Sequence, residues 1–255
     1  MNDSDLKQFL DEKSYYYQNS DFIKSDPIIV PHQYTNKEDI EISAFLTATI
    51  SWGRRKSIIE KAFHMMNIFG NEPYNFIMNH SKKDLKDLNH YCYRTFNDID
   101  LKFFVRSLKN IYNNYGGLEG VFSRDNNFTS IQKTIHEFRF IFFSIPHKKR
   151  TQKHVSDPMK GSAAKRINLF LRWMVRSKSS GVDFGLWNNL KPSQLSIPLD
   201  IHSGNVSRKL GILNRRQNDN IAVIEIDKKL RSFDPYDPVK YDFALFGLGI
   251  FENFK

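Results

Sequence analysis

Apolar residues along this chain recur at intervals of three and four far more often than at two, which is the repeat of helices rather than strands. Ile40, Ala44, Phe45 and Ala48 define one helical face, with the acids Glu38, Asp39 and Glu41 in the first turn, where the helix dipole favours them. Ile58, Ile59, Ala62, Phe63 and Met66 mark a second face, following Trp52-Gly53-Arg54-Arg55-Lys56. Phe103, Phe104, Ser107, Leu108 and Ile111 give a third, and Ile131, Ile135, Phe138 and Phe142 a fourth.

A loop is predicted from about Ser144 to Ser162, containing Pro146, the run His147-Lys148-Lys149-Arg150 and Ser156-Asp157-Pro158. Ile167, Phe170, Leu171 and Met174 form the stripe of the next helix, with Ser162 as its expected N-cap and Ser179-Ser180-Gly181 as its expected end. Asp200 is placed to cap a helix through Val206 and Leu210 that Gly211 stops. Ala222, Ile226 and Leu230 fit another helix. After the breaks Asp234-Pro235 and Asp237-Pro238, a last helix is expected from Val239 to about Phe254. No internal repeat or long linker interrupts the pattern, so an all-α protein, compatible with two lobes, is predicted.

The chain has 255 residues, of which 40% are hydrophobic, enough for a substantial core that its 22 Phe and 11 Tyr can fill. Its formal net charge of +10 favours a polyanionic partner, most often nucleic acid. Cys92 is the single cysteine, which excludes an internal disulfide and a cysteine-ligated iron–sulfur cluster, and suits a reducing cytoplasm. The charged opening MNDSDLKQFLDEK has no apolar signal core, and the richest apolar stretch is short and interrupted by Arg139, so neither export nor membrane insertion is expected.

Two stretches carry candidate chemistry. With Ser162 as N-cap, Lys165 would be the third helical residue, where the dipole and the neighbouring Arg166 would favour a neutral, nucleophilic amine. A lysine at that spacing is more often a solvated side chain or a phosphate contact. Asp200, as an N-cap, is expected to remain ionised and able to stabilise positive charge on a sugar as its base departs. At ~4 Å and an effective dielectric near 20 such a contact is of order 4 kcal/mol, roughly three decades in rate. Capping alone would be an ordinary job for the same residue. Gly161, Ser162 and Ala163 precede the Lys165 helix and can present N–H groups to a phosphate, with Lys153, Lys160 and the 148–150 run adding charge. Trp52, Arg54 and Arg55 suit a wedge that fills the gap left by an extruded base, although core packing serves Trp52 equally well. Gly247-Leu248-Gly249 lacks the third glycine of a dinucleotide loop. There is no Walker A loop, nucleophile elbow or HExxH pair.

These residues resemble those of the helix-hairpin-helix (HhH-GPD) DNA glycosylase superfamily. The segment from Asp200 to Gly211 is similar to its "VDTHVxRVxxRLG" stretch, which puts the catalytic aspartate on Asp200. Gly161 to Asn168 resembles the hairpin "GVGRKTAN", which puts the lysine of the bifunctional members on Lys165. Ala44 to Ser51 and Tyr241 to Gly247 are similar to the opening and closing helices. More narrowly, the stretches from Lys160 to Arg176 and from Asp237 to Gly249 look like those of one bacterial family within that superfamily. The resemblance implies one helical unit of two lobes, approximately 40–180 and 1–39 plus 181–255. It implies base flipping, N-glycosidic cleavage and AP (β) lyase activity through Lys165, with Gly161, Ser162, Ala163, Lys153, Lys160, Arg54, Arg55 and His202 on DNA and Trp52 or Trp173 at the lesion.

Departures from the pattern shape the expectation. Ala163 stands where the hairpin has its second glycine. The stretch between Lys165 and Asp200, including Val182 to Trp187, is longer than in endonuclease III and must loop out for the pair to meet. The cluster cysteines are missing, as in an archaeal 8-oxoguanine glycosylase branch, so 8-oxoguanine is the leading substrate expectation. No cofactor is expected beyond room for a monovalent ion in the hairpin. The implied partner is double-stranded DNA containing a damaged base, met by a monomer in the cytoplasm at the nucleoid. The alternative is a helical protein that binds duplex DNA or RNA without catalysis.

Overall fold

The computed structural model describes residues 1–124 and 128–254, with the backbone alone at Ser180. Among these residues the regular structure is mostly helical, with one small antiparallel ribbon. The helices are α1 (Asp3–Tyr17), α2 (Ser20–Ser25), α3 (Lys37–Thr49), α4 (Arg55–Ile68), α5 (Pro73–Asn79), α6 (Asp84–Asp87), α7 (Asp98–Asn114), α8 (Gly117–Phe122), α9 (Ile131–Phe142), α10 (Lys165–Val175), α11 (Ile201–Lys209), α12 (Asn220–Phe233) and α13 (Tyr241–Phe251). The ribbon pairs β1 (Cys92–Tyr93) with β2 (Phe96–Asn97). No helix among the described residues is long and apolar enough to cross a membrane.

The chain forms two units. One comprises residues 1–24, 130–132 and 157–255, the other 25–129 and 133–156. This division differs from the expected 40–180 lobe, because α10 and all that follows Asp157 belong with the terminal segments. Ion pairs tie α10 to those segments: Arg172 within the helix and Arg176 at its C-cap are bonded to Asp183, Asp237 and Asp242, all in the C-terminal third.

In the second unit α3 is buried along its whole length from Ile40 to Thr49. Phe45 lies among the rings of Phe104, Phe138 and Phe142 at centroid distances of 5.8, 5.7 and 5.4 Å. Helix α7 begins with a reciprocal cap. The Asn97 side chain accepts the Asp100 N–H, and the Asp100 carboxylate accepts the Asn97 N–H.

In the first unit the hub is α13, apolar on nearly every side, as a helix enclosed all round must be. Two glycines make the enclosure possible. A Cβ at Gly247 would fall 2.3 Å from the Tyr17 ring of α1, and one at Gly249 3.0 Å from the His202 Cβ of α11. Phe22 of α2 packs edge-on against Phe243, 5.1 Å between centroids.

Two expected boundaries of α10 are corrected. Ser162 does not cap the helix: the N-cap position falls to Ala164, in the left-handed region at φ +47, and Lys165 is the first helical residue rather than the third. The helix also ends at Val175, before Ser179-Ser180-Gly181. There the chain folds back, and the N–H groups of Phe184, Leu186 and Trp187 donate to the carbonyls of Trp173 and Met174. These are the carbonyls a helix end leaves without intrahelical partners. This return is how the long stretch between Lys165 and Asp200 loops out.

Candidate active site

Asp200 is the N-cap of α11, as its position in the sequence predicts. Its Oδ1 accepts the backbone N–H of His202 (2.9 Å) and of Ser203 (3.0 Å), and the Ser203 hydroxyl (3.1 Å). The Asp200 N–H in turn donates to Ser203 Oγ at 3.0 Å. This capping box occupies one carboxylate oxygen and fixes the other. That other oxygen, Oδ2, stands 3.9 Å from Lys165 Nζ.

Lys165 reaches this position from the first turn of α10. The turn before it is set by two left-handed residues, Gly161 at φ +88 and Ala164 at φ +47. Glycine takes such a φ without penalty, whereas alanine does so only when its surroundings hold it there. Here Ser162 Oγ accepts the Ala164 N–H (3.1 Å), and Asn168 Nδ2 donates to the Ala163 carbonyl (3.1 Å). The side chains of Lys165 and Asp200 remain 30% and 18% exposed, so an amine and a carboxylate from distant parts of the chain share one solvent-accessible spot.

Beneath this pair, within the same unit, lies an enclosed ladder of charge. Arg172, two turns after Lys165 on α10, donates through Nη1 to Asp242 and through Nε to Asp183 (3.3 Å). Arg176, one turn further, reaches Asp183 (2.5 Å), both oxygens of Asp237 (2.9 to 3.0 Å) and Gln18 (3.0 Å). Both guanidinium groups lie over the Phe243 ring, at 4.3 and 5.3 Å from its centroid. Burial pushes the Asp242 carboxyl up to about 6, against the pull of Arg172, with the Asp200 charge raising it and Lys165 lowering it. Asp242 is thus electrostatically linked to both members of the half-buried pair. Sequence reasoning missed this ladder, although the signal is present. Arg172 sits inside Phe170-Leu171-Arg172-Trp173-Met174, and Asp242 precedes Phe243-Ala244-Leu245, so each is a charge on a face that must be buried.

The remaining predicted residues are distributed as follows. Lys160 and Gly161 are exposed, and Ser162 and Ala163 half-buried, on the turn leading to Lys165. His202 occupies the first turn of α11, its ring edge-on to Phe246. Trp173 is fully enclosed at 0% exposure, so it offers no face to a base. This corrects its expected place at the lesion, since the apolar stripe of α10 carries it into the core. Trp52, Arg54, Arg55 and Lys153 belong to the second unit. Trp52 is half-buried, stacked on His154 with centroids 6.0 Å apart, and its carbonyl accepts the Tyr93 hydroxyl (2.8 Å). Arg54 and Lys153 are exposed and Arg55 is half-buried. Among the described residues no group of three or more His, Cys, Asp or Glu is arranged to hold a metal ion.

The site thus belongs to a helical protein presenting a lysine–aspartate pair at two helix N-termini. The chain is a member of the family described as "Protein of unknown function (DUF2400)", whose match spans residues 26–251 and so includes both members of the pair. No curated protein and no solved structure matches the chain.

Proposed function

We propose that this protein is a DNA glycosylase of the helix-hairpin-helix (HhH-GPD) type with lysine-dependent AP lyase activity. It acts on a damaged base in duplex DNA, with 8-oxoguanine as the leading substrate. The observation that carries this reading is the 3.9 Å separation between Lys165 Nζ and Asp200 Oδ2, reached across a long stretch of intervening chain. The net charge of +10 supports a polyanionic partner.

In this reading the unprotonated amine of Lys165 attacks the sugar C1′. The C1′–N bond breaks, and its electron pair leaves with the base, which takes up a proton. Asp200 Oδ2 lies against the positive charge that builds on the sugar. Opening of the sugar ring yields an iminium on Nζ. Loss of a C2′ proton then expels the 3′ phosphate, and water hydrolyses the imine to free the lysine. The backbone N–H groups of the Gly161–Ala163 turn, with Lys160 beside them, suit a DNA phosphate, and Trp52, Arg54, Arg55 and Lys153 are the proposed contacts of the second unit. A repair enzyme of this kind works as a monomer on the chromosome, in the cytoplasm at the nucleoid.

The test is borohydride trapping on duplexes carrying 8-oxoguanine, with an abasic-site duplex for the lyase step alone. A covalent adduct is expected with the wild-type protein and none with Lys165→Gln. Salt-sensitive duplex binding without any adduct would instead assign the protein to non-catalytic nucleic-acid binding.

A further inference from the structure

The two helix starts that carry Lys165 and Asp200 are joined by a third piece of chain, the stretch between α11 and α12. Asn218 Nδ2 donates to the backbone carbonyl of Asp200 at 2.8 Å. Its neighbour Asp219 pairs with Ser162 in an antiparallel bridge, and the Asn220 N–H donates to the Gly161 carbonyl at 3.0 Å. Three consecutive residues therefore hold the cap of α11 at one end and the turn before Lys165 at the other. The stretch is itself anchored on α11. Arg208 donates through Nε to the Arg215 carbonyl (2.8 Å) and through Nη2 to the Arg216 carbonyl (2.8 Å) and to Asn218 Oδ1. Asp219 also caps α12, accepting the Ala222 N–H at 3.1 Å, and is paired with Arg215.

Asn218 lies flat against the first turn of α11 because residue 204 is glycine. A Cβ there would fall 2.6 Å from Asn218 Oδ1, 2.7 Å from Nδ2 and 3.0 Å from Cγ. Gly204 sits in a helix interior, where glycine is less favourable than alanine. Its φ is not in the left-handed region, so the backbone does not require it. The requirement comes from Asn218.

We infer that Asn218 is a positioning residue for the Lys165–Asp200 pair, and that Gly204 is there to admit it. The Asn218–Asn220 stretch sets the distance between amine and carboxylate by hydrogen bonds to the backbones that carry them. This inference rests on the lyase reading for its catalytic consequence, but its geometric content stands apart.

The experiment uses the full chain and a duplex oligonucleotide with one abasic site, trapped with cyanoborohydride under single-turnover conditions. Asn218→Asp keeps an acceptor for Arg208 but removes the donor to Asp200. Gly204→Ala improves the helix and displaces Asn218. Both should trap roughly tenfold to a hundredfold more slowly than wild type, the range expected for a reacting group misplaced by about 1 Å. Gly204→Ala should do so with no loss of thermal midpoint and no weaker binding of the abasic duplex. Wild-type trapping rates in both variants, with Lys165→Gln inactive, would overturn the positioning role and leave the lyase reading intact. If the wild-type protein gives no adduct, the lyase reading fails and the second readout decides. In that readout the lysines are reductively methylated with 13C-formaldehyde, and the Lys165 methyl signal is assigned by its absence in Lys165→Arg. A change in that signal in Gly204→Ala in the direction seen for Asp200→Asn supports the positioning role. An unmoved signal overturns it.

Discussion

Arg172 and Asp242 meet as an enclosed ion pair, 2% and 5% exposed, two helical turns beneath Lys165. Burial raises the Asp242 carboxyl to about 6, from an ordinary value of 3.8. A carboxyl raised in the folded state binds more protons there than in the unfolded chain between those values. Its contribution to stability is therefore full below about 4 and is lost as pH rises through about 6. The difference in unfolding free energy between wild type and Asp242→Asn should change across this interval and be flat outside it, as read by urea denaturation from pH 3.5 to 7.5. Because Asp242 is linked electrostatically to Lys165 and Asp200, the wild-type trapping rate should also show an inflection near pH 6 that Asp242→Asn lacks.

Asp200 has two separable tasks, and its two oxygens divide them. Oδ1 caps α11, while Oδ2 faces Lys165. Asparagine caps a helix about as well as aspartate, so Asp200→Asn should leave stability within about 0.5 kcal/mol. It should lower single-turnover base excision by roughly three decades, the rate equivalent of about 4 kcal/mol of lost charge stabilisation. Asp200→Ala should lose the cap as well, at a cost of about 1 kcal/mol. Equal excision rates for Asp200→Asn and wild type would restrict Asp200 to capping.

The helical repeat was legible wherever one face of a helix meets the core, as in α4, α7, α9 and α12, because burial of a single stripe writes itself into spacing. Asp200 was legible as a cap for the same local reason: a short acid before an apolar-periodic run has few other places to send its oxygen. Lys165 and Asp200 could be paired from their resemblance to a known pattern, but no local signal carries their distance. Ser162 misled because a serine before a helix usually caps it. Here its hydroxyl accepts the N–H of Ala164, two residues on, and the N-cap position falls to that left-handed alanine, which makes no side-chain cap bond. Two-residue strands such as β1 and β2 are too short to show alternation. Asn218 was invisible, since an amide in a polar loop gives no sign that its partner is the carbonyl of a residue on another element.

The turn before Lys165 allows a test of backbone strain alone. A Cβ on Gly161 would meet nothing within 4 Å, yet φ is +88. Gly161→Ala should therefore destabilise through conformation and not collision, by roughly 1 to 2 kcal/mol. Gly204→Ala, crowded but unstrained in φ, should not follow it. Chemical denaturation of the two variants side by side separates these causes.

The second unit has its own buried acid, with the opposite sign of shift. Asp100 is wholly enclosed. It accepts hydrogen bonds from Thr151 Oγ1 (2.7 Å), Arg150 Nη1 (2.7 Å) and the Asn97 N–H (3.1 Å), with His154 Nε2 also 3.1 Å away. Burial alone would raise its carboxyl. The bonds from His154, Thr151 and the Asn97 backbone more than offset this and hold it at about 2, below the ordinary 3.8. A carboxyl lowered in the folded state contributes stability above the unfolded value that is lost as pH falls through the folded one, here between about 4 and about 2. Since Asp100 also fastens the turn that carries Arg150 and Lys153, Asp100→Asn should loosen a proposed DNA-contact segment. At pH 7 the variant should lose roughly 3 kcal/mol, the scale for removing one partner from a buried ionic network. At pH 2, where wild-type Asp100 is itself becoming neutral, the gap should narrow sharply. A gap that stays constant from pH 7 down to pH 2 in urea denaturation would mean that packing, not charge, is what Asp100 contributes.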